Sequence, residues 1–167
     1  MSFPIEVDVA NRQTRPLADL APRAEQAARL IVAEGGWPAA QISLVVVADE
    51  EMRQLNRQHL QHDYTTDVLS FVLDDSPEML IGEIVVCSDV AHREGARRGA
   101  SPDDELLLYV VHGLLHLIGF RDKTPSDRTA MRAAEQYWLT QLGVPEETRL
   151  RLEVDAEGTA YLGEQLR

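Results

Sequence analysis

Ile5, Val7 and Val9 alternate with Glu6 and Asp8, a period of two that predicts a half-buried strand ending near Asn11. Pro16 then opens an alanine-rich stretch in which Leu17, Leu20, Ala24, Ala27 and Ile31 recur at helical spacing until Gly35 and Gly36 stop it. Ile42 to Ala48 is nearly continuous and β-branched, as in a strand covered on both faces. Asp49 is placed to cap the next helix, whose Met52 and Leu55 face inward. Asp67 to Leu73 and Leu80 to Cys87 read as two strands of a hairpin turning at Asp74-Asp75-Ser76-Pro77.

Ser88 and Asp89 start a short helix through Arg98, which Gly99 ends. Ser101, Pro102, Asp103, Asp104 and Glu105 then combine an N-cap, a first-turn proline and acids that suit the helix dipole. The body of that helix, LLLYVVHGLLHLI, is apolar nearly all round and is expected at the centre of the domain, with Gly119 as its stop. Thr124 and Pro125 open a last helix with Met131, Ala134, Trp138 and Leu142 on one face, ended by Gly143. Leu150, Leu152 and Val154, the turn residues Asp155 to Gly158, and Ala160 with Leu162 predict a C-terminal hairpin within 145–167. With no internal repeat, this order of elements points to an α+β fold with a mixed sheet.

Composition narrows the picture. A chain of 167 residues is expected to form one domain over 1–167, and 44% hydrophobic content supplies its core. Sixteen Lys plus Arg against 28 Asp plus Glu leave a formal charge of −12, so no global basic field gathers polyanions and any nucleic-acid contact must be local. Cys87 is the one cysteine, which excludes a disulfide framework and a cysteine-rich zinc cluster and suits a reducing compartment, with the cytoplasm as the expected location. The segment MSFPIEVDVA lacks the basic start and unbroken apolar run of a signal peptide. His112, Gly113, His116 and Gly119 interrupt the most apolar stretch before it reaches the ~18 apolar residues of a membrane span, so no membrane partner is expected.

His112 and His116 stand four apart on the central helix, so both rings project from one face. Two imidazoles at that spacing can share a metal ion, and Gly119 lets the chain turn back to bring Asp122 to the same point. The competing reading makes each histidine a hydrogen-bonded core residue. Two imidazoles buried on one face without partners cost about 1–3 kcal/mol each, and the adjoining Gly119 and carboxylate favour metal. The general-base glutamate that follows the first histidine of zinc-protease helices is replaced by Gly113, which disfavours peptide hydrolysis and fits a close approach of backbone or substrate.

HGLLHLIGF at 112–120, LN at 55–56, TDVLSF at 66–71 and GEI at 82–84 together resemble the YbeY-type metal-dependent endoribonucleases, which mature ribosomal RNA. The resemblance runs from about residue 40 to 140. It implies a metalloprotease-like (zincin-like) α+β fold, here a small mixed sheet of about four strands with about five helices around the histidine-bearing helix. It also implies one zinc ion per chain and single-stranded or ribosomal RNA as substrate. Small-subunit ribosomal proteins are implied as further partners, with no DNA specificity. On matching positions His112 and His116 are the first two metal ligands, and the third, a histidine in the family, falls on Asp122. Carboxylate oxygen ligates zinc as well, at about 2.0–2.2 Å. Arg121 replaces the usual family Asp and becomes a candidate phosphate contact.

The family stretch Leu-Asn-x-x-Tyr-Arg reads LNRQHL here, which puts His59 and Leu60 at the Tyr and Arg positions. Leu60 cannot hold a phosphate, and Arg53, Arg57 and Arg121 are the nearest substitutes. Val72 stands in place of Pro and Glu83 in place of Asp. His59, His62 and His92 are read as surface imidazoles, each of them a substitute-ligand candidate, with His59 and His62 first because their loop adjoins the TDVLSF strand. Thr65, Thr66 and Asp67 form either a turn or a cleft wall, Trp37 either covers the core or stacks a base, and Cys87 reads as a packed small hydrophobe. The leading expectation is a metal-dependent endoribonuclease. A catalytically impaired RNA- or ribosome-binding paralogue is the alternative, and a metallopeptidase ranks last.

Overall fold

The computed structural model describes residues 4–152 and 164–166. Its elements are β1 (Ile5–Asn11), α1 (Leu20–Glu34), β2 (Ala40–Val47), α2 (Asp49–Leu60), β3 (Val68–Ser76), β4 (Met79–Cys87), α3 (Ser88–Arg98), α4 (Pro102–Leu117), α5 (Pro125–Gln141), α6 (Glu146–Leu152) and β5 (Glu164–Leu166). The sheet has the order β1-β2-β4-β3-β5. β1, β2 and β4 run parallel, β3 is antiparallel to β4, and β5 adds a short parallel pairing of Glu164–Leu166 with Leu69–Phe71. The expected mixed α+β sheet is therefore present, with one short strand and one helix beyond the expected numbers.

The continuous apolar runs of β2 and β4 are explained by cover on both faces. Leu44, Val46, Ile84 and Val86 pack into the large core with α1 and α4, while Val47, Val85 and Cys87 join Met52 of α2 on the opposite face. Helix α4 lies at the centre as its sequence predicts, and every residue from Glu105 to Leu117 is buried. The Ser101 hydroxyl accepts the Asp104 N–H at 3.1 Å and fixes the start of the helix. Gly113 does approach another part of the protein closely, but that part is the sheet. A Cβ there would stand 2.9 Å from Ile84 Cγ2 and 3.1 Å from Ser70 Oγ, and the Ser70 hydroxyl donates to the Gly113 carbonyl at 3.4 Å.

Four boundaries differ from the sequence reading. Helix α1 starts at Leu20 and not at Pro16, because Ala18 takes a left-handed φ of 46° and the Leu20 N–H closes a turn onto the Leu17 carbonyl. Asp49 does not cap α2. Its carboxylate pairs with Arg93, and its own N–H is taken by the Asp89 carboxylate at 2.8 Å. The hairpin turns later, at Pro77 and Glu78, because Asp74 and Asp75 continue β3 past a bulge with their side chains in solvent. Leu150 and Leu152 belong to α6 and not to a strand. Leu152 is buried, and the Arg149 carbonyl accepts the Gln136 amide at 3.2 Å. Most of the expected C-terminal hairpin, 153–163, lies outside the described residues. Among the described residues no helix is long and apolar enough to cross a membrane.

Candidate metal centre

The i, i+4 spacing on α4 places the His112 and His116 rings edge to face, with centroids 4.5 Å apart. Gly119, at φ 112°, reverses the chain after the helix, and Arg128 donates to the carbonyls of Asp122 and Lys123 at 3.3 and 2.9 Å, holding the return loop. Asp122 Oδ2 thereby lies 3.3 Å from His116 Nε2 and 3.5 Å from His112 Nε2, and the two Nε2 atoms are 2.9 Å apart. Tetrahedral ligands with bonds of about 2.0–2.2 Å sit roughly 3.3–3.6 Å from one another; both Asp122 separations match this, while the two Nε2 atoms stand at hydrogen-bond distance and would have to part by about 0.4 Å to share a small cation.

Hydrogen bonding decides which ring atoms face the centre. His116 Nδ1 lies 2.9 Å from the Phe120 carbonyl, which can only accept, so Nδ1 carries the proton. His112 Nδ1 lies 2.7 Å from the buried Glu135 carboxylate, which Arg132 holds at 3.0 Å. With both Nδ1 atoms committed as donors, two Nε2 lone pairs and the Asp122 carboxylate converge on one point. Three acceptors at that distance call for a cation or a proton between them. The residues present fit a divalent metal ion of the zinc class.

The electrostatics agree. Burial works against a charged His112, but its hydrogen bonds to Asp122 and Glu135 outweigh that cost and push it up to about 9. Burial tends to raise Asp122, and its hydrogen bonds to His112 and His116 overcome this and hold it well below the usual carboxylate range. Without metal, the pair binds a proton where the ion would sit.

Glu135 was missed by sequence reasoning. The available signal was an acid set into the apolar stripe of α5, between Met131 and Trp138, where both neighbours are buried. Leu60 packs against the α2-side apolar cluster, which also takes Phe71. His59 packs edge-on to Phe71 at 5.1 Å, and His62 stacks on Tyr64, so neither replaces Asp122 among the grouped ligands. Arg121 is exposed beside Asp122 and lines a cavity of about 380 Å³ with Ile118, Gly119, Phe120, Asp127 and Ala130. Asp67 accepts from Val68 N–H and the Thr66 hydroxyl as part of a turn. Trp37 donates to the Ser76 carbonyl at 3.1 Å while covering the core. Cys87 is buried, and that burial pushes its thiol up to about 12, which makes it inert.

A family model described as Endoribonuclease YbeY matches residues 8–143. The chain is 39% identical over 121 residues to the Endoribonuclease YbeY of Rhodopirellula baltica, which is 71% of this chain and 62% of that protein. It is 41% identical over 112 residues to the one from Nautilia profundicola, 67% of this chain and 79% of that protein. The solution structure of a Thermotoga maritima protein shares the fold, with a TM-score of 0.61 at 22% identity over 89% of this chain and 97% of that one.

Proposed function

This chain belongs to the YbeY endoribonuclease family, and on that premise we propose that it is a metal-dependent endoribonuclease that cuts single-stranded RNA in the maturation of ribosomal RNA. The observation that carries the reading is the convergence of His112 Nε2, His116 Nε2 and Asp122 Oδ2 on one point. These three residues would hold one zinc ion per chain. The surrounding fold is read as metalloprotease-like, built as a single domain over 1–167 and acting in the cytoplasm beside small-subunit ribosomal proteins.

When bound, a zinc-class ion supplies Lewis acidity toward a phosphodiester oxygen and acidifies water. The chain's own residues do the rest. Glu135 and the Phe120 carbonyl orient the two imidazoles, α4 holds them in the core, and Asp122 adds a negative charge at the position where the family resemblance implies a histidine. Arg121, exposed on the same loop, is the phosphate contact, a role that Leu60 cannot fill from its apolar cluster. Gly113 leaves no carboxylate at the position a peptidase uses as its base.

The test is cleavage of single-stranded ribosomal RNA by purified, zinc-loaded protein alongside His112→Ala. Cleavage that requires His112 and falls with chelator is expected. Equal cleavage by His112→Ala would trace the activity to a contaminant, and zinc uptake without cleavage would leave a binding protein in place of an enzyme.

A further inference from the structure

Among the described residues eleven of the fourteen arginines are paired with carboxylates within the chain. Arg12, Arg15, Arg23, Arg29, Arg93 and Arg151 each stand at salt-bridge distance from a carboxylate, and so do the others on α2, α3 and α5 except Arg128. Among the described residues four cations have no ion-pair partner: Arg121, Lys123, Arg128 and Arg149. Arg149 is used inside the fold, donating to the Val144 carbonyl at 3.1 Å and to Gln136 at 3.4 Å. The other three fall within eight residues of one another, on the loop and first turns that join α4 to α5, and they flank the metal ligand Asp122.

Charge arithmetic makes this concentration informative. A molecule of formal charge −12 repels a polyanion at long range, so an RNA strand is held best where exposed cations are not already offset by a neighbouring carboxylate. We propose that the α4–α5 loop is the phosphate-binding surface of the enzyme, with Arg121 and Lys123 contacting backbone phosphates next to the scissile one and Arg128 positioning the loop. This rests on the endoribonuclease reading above and identifies where the strand lies.

The local structure suits the task. Both Arg121 and Lys123 are exposed. Arg128 ties down the Asp122 and Lys123 carbonyls, so the two cations sit on a fixed segment, and the same segment carries the metal ligand. Beside Arg121, the cavity of about 380 Å³ includes Phe120 and Ile118 as apolar wall, with room for the sugar or base attached to a bound phosphate. The one carboxylate lining that cavity, Asp127, is engaged in the α5 capping box, where Oδ2 accepts the Thr124 N–H at 3.3 Å. Its charge lies with the helix N-terminus, which offsets it.

The experiment compares two double variants of the zinc-loaded protein that remove the same charge, Arg121→Gln with Lys123→Gln and Arg12→Gln with Arg29→Gln. Binding of a short 2′-O-methyl single-stranded RNA is measured by fluorescence anisotropy across about 0.05–0.2 M salt. Each lost phosphate contact on a single strand flattens the plot of log K against log salt by about 0.7, so the loop variant should lose about 1.4 in slope and about 25-fold in affinity near 0.1 M salt. The control variant should keep the wild-type slope, and both should retain one zinc per chain, which shows that each is folded. Equal slope changes in the two variants, or none in the loop variant, would overturn the proposal even if the wild type cleaves RNA. Wild-type protein that neither binds nor cleaves single-stranded RNA would overturn the endoribonuclease reading together with it.

Discussion

Single residues set the chemistry of the centre through which atom each one leaves free. Because the carboxylate on His112 Nδ1 comes from Glu135 and not from water, Glu135→Ala is expected to weaken zinc affinity by about 10–100-fold, as measured by competition with a chromophoric chelator. Glu135→Gln, which can still accept through its amide oxygen, should lose less. The raised His112 makes metal binding pH-dependent. Its protonated form stabilises the metal-free protein fully below about pH 6.5, and that stabilisation is lost as pH rises through about 9. Zinc needs the neutral ring, so zinc affinity should climb about tenfold per pH unit below about 9 and then level off, and should fall steeply toward pH 5. Zinc titrations at stepped pH check this, and a flat profile would contradict histidine ligation. The His112, His116 and Asp122 cluster was legible in the sequence because its spacing is local: two histidines four apart on one helix face, a glycine stop, and a carboxylate three residues later. Glu135 was not legible, because its partner lies 23 residues away and only packing of α5 on α4 brings the two together.

Elements matter through how they are locked in place. Helix α4 is set against the sheet at Gly113, so Gly113→Ala must push the helix off Ile84 and Ser70. A loss of about 1–3 kcal/mol in a urea titration is expected, with weaker zinc retention because His112 moves with the backbone. Thr124→Ala removes the capping box that starts α5 and should cost about 1 kcal/mol. Where an element's start is fixed by its own residues, as Ser101-Pro102 fixes α4, sequence and structure agree. Where a distant group takes over, they part. Asp89 takes the N–H at the start of α2 from across the fold, and Arg93 draws Asp49 away from the capping role. The bulge after Val72 likewise carries β3 beyond the turn that its acidic residues suggest, because exposed acids are tolerated where a hairpin extends into solvent.

For the molecule as a whole, the candidate metal centre joins the core helix to the α4–α5 loop directly and to α5 through Glu135, so removing an ion bound there should be felt globally. At zinc one hundred times above its dissociation constant the native state gains about 2.7 kcal/mol. For a chain of this size, chelation should therefore lower Tm by roughly 5–10 °C, measured by scanning calorimetry, with little effect on His112→Ala. From the chain alone came the mixed α+β class, most element identities, the central buried helix and the grouping of His112, His116 and Asp122. Each of those follows from periodicity, caps and spacings that act over a few residues. It took the tertiary structure to show that Gly113 meets the sheet, that Leu60 packs into the α2-side cluster, and that Glu135 orients His112. The tertiary structure also decided that, among the described residues, three of the four cations without an ion-pair partner lie on the α4–α5 loop and the first turn of α5. These depend on which distant side chains packing brings within hydrogen-bond or van der Waals distance, and a linear pattern of apolar and polar positions does not encode that choice.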